Sequence, residues 1–241
     1  MLQLRSYQLD VIDRITSRRL DGDQRIVVKM PTGSGKTALA GQLIREAMAA
    51  NQRVVFIVPF LSLIDQTVER LFQYGIRDIG VIQSDHPLRR PFAMVQVCSA
   101  QTLIRRQFPV CDLIIVDEAH KQFHELNQWL INQRRVIGLT ATPWAKGMAN
   151  VYDSLVADVT IDDLIDEGYL VPVKALVPEA RPDLSHMNIR RYEWGPDYQQ
   201  RELSRRMRDH RLTGDIIETW KQNSSTTKTL IFAVDLSLIH I

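Results

Sequence analysis

Residues 26–37 read IVVKMPTGSGKT, and this stretch decides the fold. The run Ile26–Met30 has the length and composition of a buried strand, and a segment of helical period follows at Thr37–Ala50. The backbone N–H groups of a loop in this position, together with the N-terminus of the next helix, attract anions. Gly33 and Gly35 allow backbone angles that a Cβ would obstruct. The stretch therefore predicts a phosphate-binding loop between a strand and a helix.

Two side chains at the end of this loop have the chemistry to hold ATP and Mg²⁺. Lys36 can reach the β- and γ-phosphates, and the hydroxyl of Thr37 can ligate Mg²⁺. The general loop pattern has glycine six positions before the lysine, where this chain has Met30. We nevertheless predict a nucleotide site, because the strand and the helix flank the loop as the mechanism requires. The predicted nucleotide-binding residues of the loop are Pro31, Thr32, Gly33, Ser34, Gly35, Lys36 and Thr37.

Short runs rich in Val and Ile recur along the chain and alternate with helical segments. The predicted strands are Ile26–Met30, Arg53–Val58, Ile79–Ile82, Met94–Cys98, Leu113–Val116 and Val136–Thr140. The predicted helices are Thr37–Ala50, Leu61–Tyr74 and Ala119–Asn132. Apolar residues at consecutive positions are typical of strands that helices cover on both faces. The alternation predicts an α/β fold whose parallel sheet is built from βαβ units.

Two acids follow the predicted strand Leu113–Val116. Burying a carboxylate is costly unless it is paired or coordinates a cation. An enzyme with a phosphate-binding loop needs one carboxylate near Mg²⁺ and another group that orients or deprotonates the attacking water. We predict that Asp117 holds the metal ion and that Glu118 acts on the water. The alternative is that the acids only cap the next helix.

Composition excludes some classes and leaves the substrate open. The 241 residues are 45% hydrophobic and 24% charged, with 30 basic and 28 acidic side chains. This balance is typical of a globular protein and gives no general signal for nucleic acid. Apolar runs are shorter than the ~20 residues that span a bilayer. The two cysteines lack metal-site spacing, so we expect reduced thiols in a cytoplasmic protein without membrane contacts.

Taken in order, the motifs resemble those of superfamily 2 helicases and translocases of the DEAH type, in the group that contains type III restriction-enzyme motor subunits. Asp117–His120 matches the DEAH box, and Gly138–Pro143 matches the Thr-Ala-Thr segment. The resemblance implies a RecA-like sheet and an ATP-dependent enzyme acting on nucleic acid, with DNA favoured over RNA. It also implies that His120, Thr140 and Thr142 link hydrolysis to movement.

Further segments carry the same resemblance at both sides of the predicted site. Leu4–Gln8 resembles the adenine-reading segment of the family, which implies nucleotide contacts for Gln8 and Arg5. Two other segments, at Val58–Gln66 and Cys98–Leu103, resemble those that contact the nucleic-acid strand. The nucleic-acid contacts implied by them are Pro59, Phe60, Ser99, Gln101 and Thr102.

The resemblance also divides the chain. Residues 1–170 correspond to an N-terminal RecA-like ATP-binding domain, residues 171–196 to a linker, and residues 197–241 to the start of a second RecA-like domain. A short helix capped by Thr160 and ending at Gly168 precedes the linker, and Thr229–Val234 is predicted as a strand. Two more helices are predicted at Tyr198–Arg208 and Leu212–Lys221.

The second motor domain of this family normally supplies arginines that stabilise charge on the γ-phosphate, and the sequence ends at Ile241 before such a motif. An arginine finger raises rates about 10³–10⁵-fold in other phosphoryl-transfer systems. We therefore expect these 241 residues alone to bind ATP weakly and hydrolyse it slowly. Two alternatives stay open: an ATPase that moves no nucleic acid, and a nucleic-acid-binding protein without turnover.

Overall fold

The computed structural model describes residues 3–83, 85–157, 159–173, 183–192, 195–207, 217–223, 226 and 228–229. The chain divides into two compact units, Met1–Pro172 and Val173–Ile241. The larger unit contains the predicted nucleotide site. Among the described residues, no helix is long and apolar enough to cross a membrane.

Seven parallel strands form one sheet in the larger unit. They are β1 (Arg25–Lys29), β2 (Val54–Val58), β3 (Ile79–Val81), β4 (Val95–Ser99), β5 (Leu113–Val116), β6 (Val136–Thr140) and β7 (Ser154–Val156). Their spatial order is β3-β4-β2-β5-β6-β1-β7, and every neighbouring pair is parallel. The α/β fold with a parallel sheet is thereby confirmed, and the six predicted strands lie within one residue of their expected bounds.

Helices cover both faces of this sheet, as predicted. They are α1 (Ser6–Leu20), α2 (Lys36–Ala49), α3 (Ile64–Gln73), α4 (Ala100–Leu103), α5 (His124–Ile131) and α6 (Ile161–Asp166). Alternate residues of β2 enter different cores: Phe56 packs with apolar residues of α1, α2 and α3, whereas Ile57 packs with those of α4 and α5. Both side chains are 1% exposed, so every position of this strand has to be apolar.

The strand order places the functional segments along the carboxyl edge of the sheet. Strands β5, β6 and β1 are consecutive neighbours, so the acidic strand end, Thr140 and the phosphate loop emerge side by side. Strands β2 and β4 are also neighbours, with Val58 aligned to Ser99. The two segments predicted to contact nucleic acid therefore emerge together, next to the predicted ATP site.

The helix predicted at Ala119–Asn132 is wrong in its first part, because α5 begins only at His124. Glu118 has a positive φ of 47°, and the N–H of Ala119 donates to Leu139 O at 2.9 Å instead of entering a helix. The apolar spacing continues through this turn, since Ala119 and Leu126 are both buried in the same core. The spacing alone thus extended the helix too far.

Helices α1 and α4 and strand β7 of the larger unit have no counterpart in the sequence predictions. Helix α1 buries Tyr7, Val11 and Ile15, which are four residues apart on one face. Strand β7 at the edge of the sheet is only three residues long, and Val156 is its single buried residue. The helix predicted between Thr160 and Gly168 is confirmed: Thr160 caps α6, and Gly168 follows it with a φ of +75°.

The smaller unit contains an antiparallel hairpin of β8 (Ile189–Tyr192) and β9 (Gly195–Tyr198), followed by α7 (Gln200–Met207). The hairpin begins inside the stretch predicted as a linker, and α7 matches the helix predicted at Tyr198–Arg208. Residues 217–223 are helical and overlap the helix predicted at Leu212–Lys221. The strand predicted at Thr229–Val234 lies outside the described residues, apart from its first residue.

Candidate functional site: a phosphate loop beside an acidic strand end

The phosphate loop connects β1 to α2 and has a defined shape. Gly33 and Gly35 both have a φ of +82°, in the left-handed region that favours glycine. The Ser34 side chain is fully buried, and its Oγ donates a hydrogen bond to Pro31 O at 2.6 Å. Helix α2 begins directly at Lys36. The loop therefore has the left-handed turns and the helix N-terminus that an anion site requires.

Two residues of α1 donate hydrogen bonds to the backbone of this loop. Tyr7 Oη donates to Ser34 O at 2.7 Å, and Gln8 Nε2 donates to the same oxygen at 2.9 Å. The other end of the Gln8 amide accepts a hydrogen bond from Arg5 N at 3.0 Å. Gln8 is 2% exposed, so its amide fixes the phosphate loop. The contact with adenine predicted for Gln8 stays a prediction.

Arg5 lies beside Tyr7 at the start of α1. Its Nη1 donates to Tyr7 Oη at 3.1 Å, and its guanidinium carbon lies 4.4 Å from the ring centre of Tyr169. The rings of Tyr7 and Tyr169 meet edge to face at 5.4 Å. Tyr7 thus joins Arg5 to the phosphate loop through one hydroxyl group. The sequence resemblance assigned roles in this segment to Gln8 and Arg5 and none to Tyr7 or Tyr169.

The acidic strand end lies close to Lys36. Asp117 N donates to Ile57 O at 2.8 Å, and Asp117 Oδ1 accepts the Glu118 N–H at 3.0 Å. Burial raises the pKa of Asp117 above its usual value and the charge of Glu118 adds to this effect, whereas the Glu118 N–H and Lys36 oppose it. A buried carboxylate of this kind is stabilised by a bound cation.

His120 and Thr140 join the acidic strand end to the neighbouring strand. His120 Nδ1 lies 2.9 Å from Thr140 Oγ1 and 3.4 Å from Glu118 Oε2. Thr140 is fully buried; its Oγ1 accepts the Thr142 N–H at 3.0 Å, and its carbonyl accepts the Met30 N–H at 2.9 Å. Thr140 therefore contacts both the DEAH segment and the base of the phosphate loop.

A cleft of about 440 Å³ opens at this point of the sheet edge. It brings Lys36, Thr37 and Asp117 together, as predicted, with Gly33 and Gly35 in its wall. The opposite wall comes from α3 and its ends, and was not predicted. Its residues are Leu63, Gln66, Thr67, Arg70 and Tyr74. The spacing of Gln66, Arg70 and Tyr74, four residues apart, is the signal that marks this wall as one helix face.

The residues predicted to contact nucleic acid differ in their exposure. Phe60 is 38% exposed and Gln101 is half-buried, so both reach the surface. Pro59 is buried, and so is Ser99, whose Oγ caps α4 by accepting the Thr102 N–H at 3.1 Å. The same Oγ donates to Thr102 Oγ1 at 3.0 Å. The Ser99 side chain thus caps α4 in this structure, and the nucleic-acid contact predicted for Ser99 stays a prediction.

Comparison with known proteins identifies the family. The family model for the res subunit of type III restriction enzymes matches residues 1–145, which is more than half of the chain. The chain belongs to this family. It is thus a ResIII chain of superfamily 2, as the sequence motifs predicted.

Two relatives of this ResIII chain are named as a helicase and a translocase. A putative ATP-dependent helicase of Saccharomyces cerevisiae, IRC3, is 28% identical over 96% of the chain, which spans 37% of that protein. The DNA 3'-5' translocase XPB2 of Sulfurisphaera tokodaii is 26% identical over 69% of the chain and 37% of the relative. The ResIII chain therefore spans little more than a third of the length of these relatives.

The fold of the ResIII chain resembles that of a solved motor core. The SWI2/SNF2 ATPase core of Sulfolobus solfataricus, in complex with double-stranded DNA, matches with a TM-score of 0.52 and 19% identity. The match covers 63% of the ResIII chain and 36% of the solved chain. It confirms the RecA-like fold of the larger unit.

The residues of the cleft fit a nucleotide with Mg²⁺. A Cβ on Gly35 would lie 2.5 Å from Gln8 Nε2, so the loop keeps its shape only with glycine there. Among the described residues, no group of three or more His, Cys, Asp or Glu side chains is placed to hold a metal ion. Mg²⁺ commonly takes one or two carboxylates and completes its shell with water and phosphate oxygens. Asp117 and the Thr37 hydroxyl, in one cleft, suit that arrangement.

Proposed function

We propose that this chain is the ATP-binding half of a motor that acts on DNA, as a helicase or translocase. The observation that carries the proposal is the position of Thr140. Its hydroxyl contacts His120 and its carbonyl holds Met30 at the base of the phosphate loop. Loss of the γ-phosphate can therefore act on the end of β6 through the hydrogen bonds of Thr140. An ATPase without movement has no need of this route.

In this proposal each residue of the cleft has a defined task. Lys36 binds the β- and γ-phosphates, and Thr37 and Asp117 hold the metal ion. Bound Mg²⁺ neutralises charge on the phosphate oxygens. Glu118 orients the attacking water and accepts its proton, because its carboxylate lies in the turn beside the cleft, 3.4 Å from His120 Nδ1. The positive φ of Glu118 marks a backbone turn between β5 and α5.

The nucleic-acid surface is assigned to the neighbouring strand ends β2 and β4. Their aligned residues Val58 and Ser99 bring Phe60 and Gln101 to the same edge as the cleft. The exposed ring of Phe60 offers a face on which a base can stack. We propose DNA as the polymer, since the relatives include a DNA translocase and a core solved with double-stranded DNA.

We also propose that residues 1–170 form the first motor domain and that residues 197–241 belong to the second. The division of the chain into compact units at Pro172 supports the first boundary.

Hydrolysis of radiolabelled ATP by the 241-residue chain tests the proposal. We expect hydrolysis that DNA stimulates, and we expect both Lys36→Ala and Glu118→Gln to abolish it. The assay compares single-stranded DNA, double-stranded DNA and RNA, each with a filter-binding measurement of affinity. The variant His124→Asn serves as the control, because His124 is exposed and does not line the cleft.

Each alternative has its own outcome in this experiment. Hydrolysis that no polymer stimulates, in a chain that also fails to bind the polymers, would establish a non-translocating ATPase. Tight DNA binding without any hydrolysis, unchanged by Glu118→Gln, would establish a binding protein. Stimulation by RNA alone would overturn the assignment of DNA.

A further inference from the structure

Two adjacent residues at the end of the larger unit contact both ends of the nucleotide site. The ring of Tyr169 lies under the guanidinium of Arg5, with the Cζ atom 4.4 Å from the ring centre. Leu170 lies against the phosphate loop, where a Cβ added to Gly33 would come within 3.0 Å of its Cδ2. These two residues follow α6 through a left-handed turn at Gly168. The chain therefore passes over the site as it leaves the unit.

Tyr169 controls how Arg5 presents its guanidinium group. The group is planar and stacks readily on aromatic rings, but its side chain is long and has many rotamers. The Tyr169 ring covers one face, and Tyr7 Oη accepts from Nη1 at 3.1 Å, so the plane of the group is fixed from two directions. Tyr7 in turn meets the Tyr169 ring edge to face at 5.4 Å. The three side chains form one packed set.

We propose that Tyr169 is a positioning residue for the adenine end of the ATP site, acting through Arg5. The inference rests on the ATP site proposed above. Tyr169 supports one face of the guanidinium so that the opposite face can stack on a purine base. Without the Tyr169 ring, the guanidinium of Arg5 is no longer held in one orientation. Binding of a base then has to order the Arg5 side chain, which lowers the affinity.

The same set of contacts reaches the phosphate end of the site. The Tyr7 hydroxyl that accepts from Arg5 also donates to Ser34 O at 2.7 Å. Arg5 is thereby connected to the phosphate loop through two hydrogen bonds, one from Arg5 to Tyr7 and one from Tyr7 to Ser34. Loss of Tyr169 leaves the bonds of Tyr7 and Gln8 to Ser34 in place, so the phosphate loop keeps its support. The effect of Tyr169 should thus be confined to the base.

Ligand competition on the 241-residue chain tests the inference. A fluorescent ATP analogue is displaced by ATP, GTP and inorganic tripolyphosphate, each with Mg²⁺, in wild type, Tyr169→Leu, Tyr169→Phe and Val171→Ala. Tyr169→Phe keeps the ring, and the Tyr169 hydroxyl makes no hydrogen bond among the described residues. Val171→Ala changes an exposed residue of the same segment and is the matched control.

We expect Tyr169→Leu to weaken ATP about 5- to 20-fold, in line with the strength of a partly buried cation–aromatic contact. Tripolyphosphate affinity should stay within about twofold, and Tyr169→Phe and Val171→Ala should bind ATP like wild type. Equal losses for ATP and tripolyphosphate, or a Phe variant as weak as the Leu variant, would overturn the inference. So would a Leu variant that binds ATP normally. A wild-type chain that binds neither ATP nor tripolyphosphate would refute the proposed ATP site itself.

Discussion

His120 Nδ1 lies 2.9 Å from Thr140 Oγ1, and this contact sets the state of the histidine ring. The Thr140 oxygen accepts the Thr142 N–H and keeps a hydrogen that it can donate to Nδ1. Burial lowers the pKa of His120 and outweighs the opposing charge of Glu118. The lowered pKa makes the neutral ring the main form at pH 7, and we predict the tautomer with Nδ1 as the acceptor and the proton on Nε2.

Replacing Thr140 by valine should change the pKa and the tautomer of His120 while leaving the fold intact. The substitution keeps the shape of the side chain and removes the hydrogen that Nδ1 accepts, so the neutral ring loses support and the pKa of His120 rises. Titration of the ring by NMR, with ¹⁵N shifts that report the tautomer, measures this change. Thr140→Ser keeps the hydroxyl and should preserve both the pKa and the tautomer of His120. An unchanged tautomer in Thr140→Val would show that the hydroxyl does not direct it.

The lowered pKa of His120 predicts a loss of stability in acid. At a pH between the lowered folded value and the unfolded value of about 6.5, the unfolded chain binds more protons than the folded one. The contribution of His120 is therefore complete above about pH 6.5 and is lost as the pH falls towards the folded pKa. Urea unfolding from pH 7.5 to pH 5 should show a shallower decline in His120→Asn than in wild type. The control His124→Asn should follow the wild-type profile.

The buried carboxylate of Asp117 is expected to bind Mg²⁺ but to lower the stability of the nucleotide-free chain at pH 7. Because the folded pKa of Asp117 is raised, its contribution is present below the unfolded pKa of about 3.8 and is lost as the pH rises through the folded value. Asp117→Asn should therefore raise the unfolding midpoint of the nucleotide-free chain at pH 7, since an amide oxygen can still accept the Glu118 N–H.

The same variant should lose the contribution of Mg²⁺ to ATP affinity. Isothermal titration with and without Mg²⁺ separates the two effects: ATP alone should bind the variant at least as well as wild type, and Mg²⁺ should add little. A variant that is less stable, or that keeps the full effect of Mg²⁺, would contradict the assigned role of Asp117.

Gly35 should be far less replaceable than Gly75, although the two share a backbone conformation. Their φ values are +82° and +83°, so alanine at either position should cost about 1–2 kcal/mol of backbone strain. A Cβ on Gly35 also displaces the buried amide of Gln8 from Ser34 O, whereas a Cβ on Gly75 has nothing within 4 Å. Breaking this buried hydrogen bond adds about 1–3 kcal/mol.

Urea unfolding and ATP titration of the two alanine variants measure the difference. Gly35→Ala should lose stability beyond that of Gly75→Ala and should bind ATP at least about tenfold more weakly, because the loop loses its support. Gly75→Ala should bind ATP normally. Equal stability losses would show that the Gln8 contact contributes nothing to the loop.

The sequence determined the α/β class and the six main strands, and it supplied the candidate site residues. Buried parallel strands must be apolar on both faces, so runs such as Leu113–Val116 are visible without any structure. The phosphate loop and the DEAH box are local motifs whose chemistry depends on residues close together in the chain. Lys36 and Thr37 meet Asp117 in one cleft because the carboxyl ends of parallel strands lie at the same edge of the sheet.

The tertiary structure alone decided what supports those residues. Tyr7, Tyr169 and Leu170 contact the site from positions far apart in the chain, and their residue types are as common in cores as in binding sites. The burial of Ser99 and the start of α5 at His124 depend on how neighbouring elements pack, which apolar spacing does not record. A local pattern reports which groups can react; the long-range contacts that orient them, such as Tyr169 beneath Arg5, arise only when the chain folds.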